Sequence, residues 1–221
     1  MKKLIDLSHT VEHGMITYKG IPGPIICDFL SREASKAHYA EGTTFHIGRI
    51  DMVANTGTYI DAPFHRYAEG KDISELALEG IADLEGVVCP ADATSRAIGP
   101  ELFSGVDVKG KAVLVHTGWA QHWGSESYFE GHLFLTAEAA ELLQVLGAAL
   151  VGIDSLNIDD TSGGERPVHS TLLASMITSK PAIDDHPKTG QRRGDRDRVV
   201  LAFCLLVKQV HFGSPTARTA L

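Results

Sequence analysis

The chain has 221 residues, is 43% hydrophobic and 22% charged, and carries a net charge of −8 at pH 7. That balance is ordinary for a globular protein, and the negative charge disfavours non-specific binding to nucleic acid. No apolar run approaches the roughly 20 residues of a membrane span. Cys27, Cys89 and Cys204 are odd in number and far apart, which argues against a disulfide framework and for a reducing, cytoplasmic setting. They read as small buried residues.

The opening stretch MKKLIDLSHTVEHG has two lysines but no apolar core of signal-peptide length, because Asp6, His9, Glu12 and His13 interrupt it. It reads as a first strand with mixed faces and not as a targeting segment. GMITYKGIPGP follows as a loop marked by glycine and proline. GPIICDFL and HIGRIDMVANTGTYIDAP read as further strands, and DISELALEGIADL has helical spacing over a short span. EGVVCPADA and KAVLVHTGW are compact apolar strands. TAEAAELLQVLGAA is the clearest helix, with Thr136 as N-cap, Glu138 in the first turn, Gly147 as the stop and Leu142, Leu143 and Leu146 as its apolar stripe. ALVGIDSLNIDD is a buried strand ending in polar residues, and VVLAFCLLVKQV is a late strand. Strands outnumber helices and occur both in clusters and in β–α–β order. This predicts one mixed α/β domain over residues 1–221, a mixed β-sheet with flanking helices.

Several polar clusters remain open on sequence alone. HTGWAQHW, with His116, Trp119, His122 and Trp123, offers spaced histidines but fits a surface loop with aromatic anchors better. His38 and His46 have no spaced partner and read as structural. Asp154, Asn157 and Asp159, at the end of a strand, suit either a pocket wall or turn capping. The basic run KTGQRRGDRDR is mixed with acids and reads as a solvated loop.

The stretch NTGTYIDAPFHRY, Asn55 to Tyr67, concentrates the chemistry. As a strand it would place Asn55, Gly57, Tyr59, Asp61, Pro63 and His65 on one face. A carboxylate and an imidazole four residues apart meet if the chain turns near Pro63, and the pair then suits acid–base work. The same spacing also fits a turn-capping Asp61 and a structural His65.

On these residues the chain resembles the cyclase family, which includes kynurenine formamidases and isatin hydrolases and carries the pattern His-x-Gly-Thr-His-x-Asp-x-Pro-x-His. Gly57, Thr58, Asp61, Pro63 and His65 match it in register, whereas Asn55 and Tyr59 stand where the family has its first two histidines. IDLSHTVEHGMITYKGIPGP resembles the family's opening strand and substrate loop, with Tyr18 at an aromatic substrate-contact position. VLVHTGW, LTAEAAELL and LVGIDSLNIDD resemble its central strand–helix–strand segment, and RPVHSTLL its late histidine motif.

The resemblance implies a swivelling β/β/α fold, a homo-oligomer (dimer or tetramer) and hydrolysis of a small amide, N-formyl or cyclic amide compound by an activated water. It implies His65 as the acid–base residue, Asp61 as catalytic or metal-binding and His169 as a metal ligand. Tyr18 and Tyr59 become substrate-contact candidates. Asn55 and Asp185, the latter within IDDH, become further metal candidates. The segment around 176–197 resembles the family poorly. Zinc sites favour Cys, His and carboxylate donors, so the exchange of two imidazoles for an amide and a phenol leaves three outcomes. One is a weaker, oxygen-rich site for one divalent ion (manganese, zinc or magnesium). Another is metal-free chemistry, as in a lyase or cyclase, and the last is a non-catalytic small-molecule-binding relative. No nucleic acid or membrane partner is expected.

Overall fold

The computed structural model describes residues 6–92 and 94–178. They fall into two compact units, the first ending at Tyr59 and the second beginning at Ile60. The fold is mixed α/β, with parallel and antiparallel strand pairs and helices. Among the described residues no helix is long and apolar enough to cross a membrane.

In the first unit, β1 (Ile25–Leu30) pairs antiparallel with β2 (Ile47–Asp51). The helix α1 (Arg32–Ser35) follows β1 and is capped by the Ser31 side chain, which accepts from the Ala34 N–H. His46 bonds Asp28 at 2.8 Å, a structural role as expected. The strand expected at the start is not formed over residues 6–12. There the Asp6 carboxylate accepts from the Ser8 N–H at 2.9 Å, a local bond that competes with a strand ladder. Cys27 is exposed, contrary to the expectation, while Cys89 is buried. Cys204 and the late strand lie outside the described residues.

The second unit is built on three parallel strands in the order β3 (Gly86–Pro90), β5 (Ala112–His116), β7 (Leu150–Ile153). The shorter β4 (Ala97–Ile98) and β6 (Phe134–Leu135) form a separate parallel pair. The central β5 reads Ala-Val-Leu-Val-His, with Ala112, Val113 and Val115 buried. A nearly unbroken apolar run is what a parallel strand covered on both faces requires.

Helix α2 (Ala137–Leu146) begins where expected. Thr136 accepts from the Ala139 N–H at 3.2 Å, and Gly147 ends the helix in the left-handed region at φ 77°. Its buried stripe is Ala139, Ala140 and Leu143, with Leu142 partly buried; Leu146, expected in the stripe, is exposed. Helix α3 (Pro167–Thr178) packs against α2 and against the 3₁₀ turn Pro63–His65. The sheet and α2 share one core, with Phe103, Val113, Leu135, Leu143 and Val168 at its centre. The helical spacing of residues 72–84 yields only two 3₁₀ turns, Ile73–Glu75 and Leu78–Gly80, the first closed by a capping box from Asp72.

Candidate active site

The strand expected through NTGTYIDAP stops at Asp51. Gly57 sits at φ 74°, outside strand geometry, and a Cβ there would come within 2.7 Å of Val11 Cγ2. Glycine is therefore required both by the backbone and by the space, and the alternating face proposed for Asn55 to His65 is not formed. What survives is the turn at Pro63. Ala62 is extended, Pro63 takes the first position of a 3₁₀ turn, and the His65 N–H donates to the Ala62 carbonyl at 2.9 Å. The Tyr67 N–H closes onto the Pro63 carbonyl at 2.9 Å. This brings His65 Nδ1 to 3.5 Å from Asp61 Oδ1.

His169 reaches the same carboxylate from α3. Its Nε2 lies 3.7 Å from Asp61 Oδ2, and its ring is 5.9 Å from that of His65. The helix N-terminus is held by Asp159, which accepts from the backbone N–H groups of Val168 (2.7 Å) and His169 (3.1 Å). The same carboxylate bonds His169 Nδ1. Asp159 accepts at every one of these contacts, so His169 carries a proton on Nδ1 and turns Nε2 toward Asp61. Burial pushes the Asp159 carboxyl up, but the hydrogen bonds from His169 and Val168 outweigh it and hold it below its usual range. Asp159 is thus a fixed anion whose role is to orient an imidazole.

The donors fit a divalent cation. One atom each from Asp61, His65 and His169 lie within 4.8 Å of one another. Donors at about 2.1 Å from a tetrahedral ion stand about 3.4 Å apart, close to the 3.7 Å between His169 Nε2 and Asp61 Oδ2. The Asp159–His169 pair matches the carboxylate–histidine support that metal-ligating imidazoles use. Exposure differs across the cluster: the side chain of His65 is 43% accessible and that of His169 only 16%.

Tyr18, Asn55 and Tyr59 belong to the first unit. Tyr18 is half-buried in a turn closed by the Ile21 N–H, Asn55 is half-buried and Tyr59 is exposed. Asp185 lies outside the described residues. Asp154 clamps the end of β5, accepting from the Thr117 N–H and hydroxyl, the Gly118 N–H and His116 Nδ1. Asn157 accepts from the Asp159 N–H. Trp119 donates its indole N–H to the Tyr128 carbonyl and packs on His122, the aromatic anchoring expected of that loop. Sequence reasoning did not assign Asp159 its place behind His169. The visible signal was Pro167 opening a helix that needs an acceptor for its first N–H groups.

The mixed α/β scaffold thus carries an Asp–His cluster that could hold a divalent ion. The chain belongs to the cyclase family, whose model, described as "Putative cyclase", matches residues 5–160. Among curated relatives it is 30% identical over 178 residues to a kynurenine formamidase of Geobacillus thermodenitrificans, covering 78% of each chain. It is 29% identical over 192 residues to a kynurenine formamidase of Bacillus cytotoxicus, covering 84% of this chain and 85% of that one. Among solved structures, a predicted metal-dependent hydrolase from Bacillus stearothermophilus superposes with a TM-score of 0.60 at 26% identity, over 79% of each chain. An isatin hydrolase bound to a product analogue shares the fold alone, with a TM-score of 0.60 at 16% identity over 78% of this chain and 75% of that one.

Proposed function

We propose that this protein is a hydrolase of carbon–nitrogen bonds other than peptide bonds, acting on a small N-formyl or cyclic amide, with an N-formyl aryl amine as the favoured substrate class. The convergence of Asp61, His65 and a carboxylate-oriented His169 carries the reading. The likeness to kynurenine formamidases supports the substrate class.

Asp61 and His169 would hold a divalent ion, His169 through Nε2, the ring nitrogen that Asp159 does not engage. When bound, such an ion supplies Lewis acidity, polarising a carbonyl and making water more acidic. His65 is the proton carrier. His169 has its Nδ1 proton committed to Asp159 and is largely shielded. His65 is the more accessible ring and faces the Asp61 carboxylate at 3.5 Å. An imidazole both accepts and donates protons near neutral pH. His65 takes a proton from the attacking water as the C–O bond forms and returns it to the leaving nitrogen as the C–N bond breaks. Formate or a ring-opened carboxylate results, with the free amine.

The test is formanilide hydrolysis with manganese or zinc supplied, on wild type, Asp61→Asn and His65→Ala. His65→Ala should lose about 100-fold or more in turnover while keeping its fold and its metal stoichiometry. Asp61→Asn should lose both turnover and metal. Loss of metal from His65→Ala would make His65 a ligand and not the proton carrier. Turnover per folded molecule left intact would remove it from the reaction.

A further inference from the structure

A groove of about 430 Å³ is walled by residues that the hydrolytic scheme does not use. Its walls are Arg66, Gly164, Glu165, Arg166, Pro167 and Ser170. Two of these are chain neighbours of site residues: Arg66 follows His65, and Ser170 follows His169. The volume suits a small molecule. Two guanidinium groups against one carboxylate give the wall a positive balance.

Arg66 is held in place although it is exposed. Its Nε donates to Ser170 Oγ at 3.1 Å, and its guanidinium lies 5.3 Å from the Tyr67 ring centroid. The Tyr67 hydroxyl donates to the Ser170 carbonyl at 2.8 Å. The single proton of the Ser170 hydroxyl goes to the Arg166 carbonyl at 2.8 Å, so toward Arg66 this oxygen is an acceptor. An arginine tied at Nε keeps its terminal N–H groups for another partner, and those groups form a fork that matches a carboxylate. Arg166 differs: its NH1 donates to the carbonyls of Asp160, Gly163 and Glu165. It shapes the loop and adds charge, while Arg66 supplies the fork. A Cβ built on Gly164 would meet no atom within 4 Å, so this wall leaves room.

We propose that the groove is an anion subsite in which Arg66 receives a carboxylate carried by the substrate, next to the amide bond presented to Asp61, His65 and His169. The substrate class is thereby narrowed to amides bearing an anionic group. The word substrate rests on the hydrolytic reading; the anion subsite does not.

Titration calorimetry of the full chain with benzoate, and with benzamide as its neutral counterpart, reads the subsite without turnover. Benzoate should bind more tightly than benzamide. Arg66→Gln should weaken benzoate by about tenfold or more, the usual weight of a charge-assisted pair. Arg66→Lys should recover only part, because a point charge replaces a fork. Thermal melts establish that each variant is folded, and if Arg66→Gln is not, Arg66→Lys carries the comparison. Equal binding of the two probes, or benzoate binding that the Arg66 substitutions leave alone, overturns the subsite.

Kinetics then compare formanilide with the three formamidobenzoate isomers. Arg66→Gln should lower the ratio of kcat/KM, best anionic over neutral substrate, by about tenfold or more, through KM. An unchanged ratio overturns the assignment of Arg66 as a substrate contact. If none of the four compounds turns over, the hydrolytic reading falls and the calorimetry alone decides the subsite.

Discussion

At the scale of single residues, the site depends on a carboxylate that touches no reacting atom. Asp159 is 1% accessible and performs two tasks: it caps α3, and it fixes the tautomer and direction of His169. Asp159→Asn keeps the shape but replaces a uniform acceptor with a mixed donor–acceptor. Affinity for zinc or manganese should fall about 10- to 100-fold, as when other supports of metal-ligating histidines are removed. Stability should fall by about 1–3 kcal/mol. Calorimetric metal titration beside urea unfolding measures both. A stability loss with unaltered metal affinity would leave Asp159 as a helix cap only. This residue also marks a limit of sequence reading. The pairing of Asp61 with His65 follows from a four-residue spacing and an intervening proline. The bond from Asp159 spans ten residues to His169 across a loop whose path no periodicity encodes. Arg66 and Ser170 are 104 residues apart, and only the docking of α3 on the Pro63 turn brings them together.

At the scale of elements, the parts set by local chemistry were the legible ones. Helix α2 carried its cap, its acidic first turn and its stop in the sequence, and all three stand where they were expected. The parallel strands β3, β5 and β7 were visible as short valine-rich runs. The two strands that do not form where alternation predicts them, at residues 6–12 and beyond Asp51, share a cause: alternation is blind to local competitors. Asp6 turns its carboxylate onto its own backbone, and Gly57 takes a left-handed conformation in which no strand continues. The ends of α2 allow a clean check. Thr136→Ala should cost about 1 kcal/mol through the lost cap. Gly147→Ala should cost about 1–2 kcal/mol from backbone strain alone, because its Cβ would meet nothing closer than Lys109 Cγ at 3.7 Å. Chemical denaturation of each variant gives the values. If Gly147→Ala is as stable as wild type, the left-handed stop is not what ends this helix.

At the scale of the molecule, the core is tied to the site loop through His132, which is 1% accessible. Its Nε2 donates to the Asp159 carbonyl at 3.1 Å, and its own carbonyl accepts from Arg96 Nε at 3.1 Å. Burial pushes the His132 imidazole below its ordinary value of 6.5, partly offset by the bond to Asp159, and Arg96 pushes in the same direction as burial. The folded state therefore binds fewer protons at this position than the unfolded chain does. Stability from keeping the ring neutral is complete above the unfolded value and is lost as the pH falls below it toward the depressed folded value. His132→Gln replaces the ring with a group that does not titrate and can still donate to the Asp159 carbonyl. Wild type should exceed this variant in stability most clearly at pH 8. The margin should shrink as the pH drops below about 6.5, as the native fold comes under pressure to admit a buried charge. Urea midpoints of both proteins at pH 8, 7, 6 and 5 give the margin directly. The variant subtracts the carboxylates, among them Asp154 and Asp159, whose depressed values act on stability only below their ordinary 3.8. A margin constant across that range would mean that His132 changes its charge equally easily in both states, and that its burial does not govern the acid response of the fold.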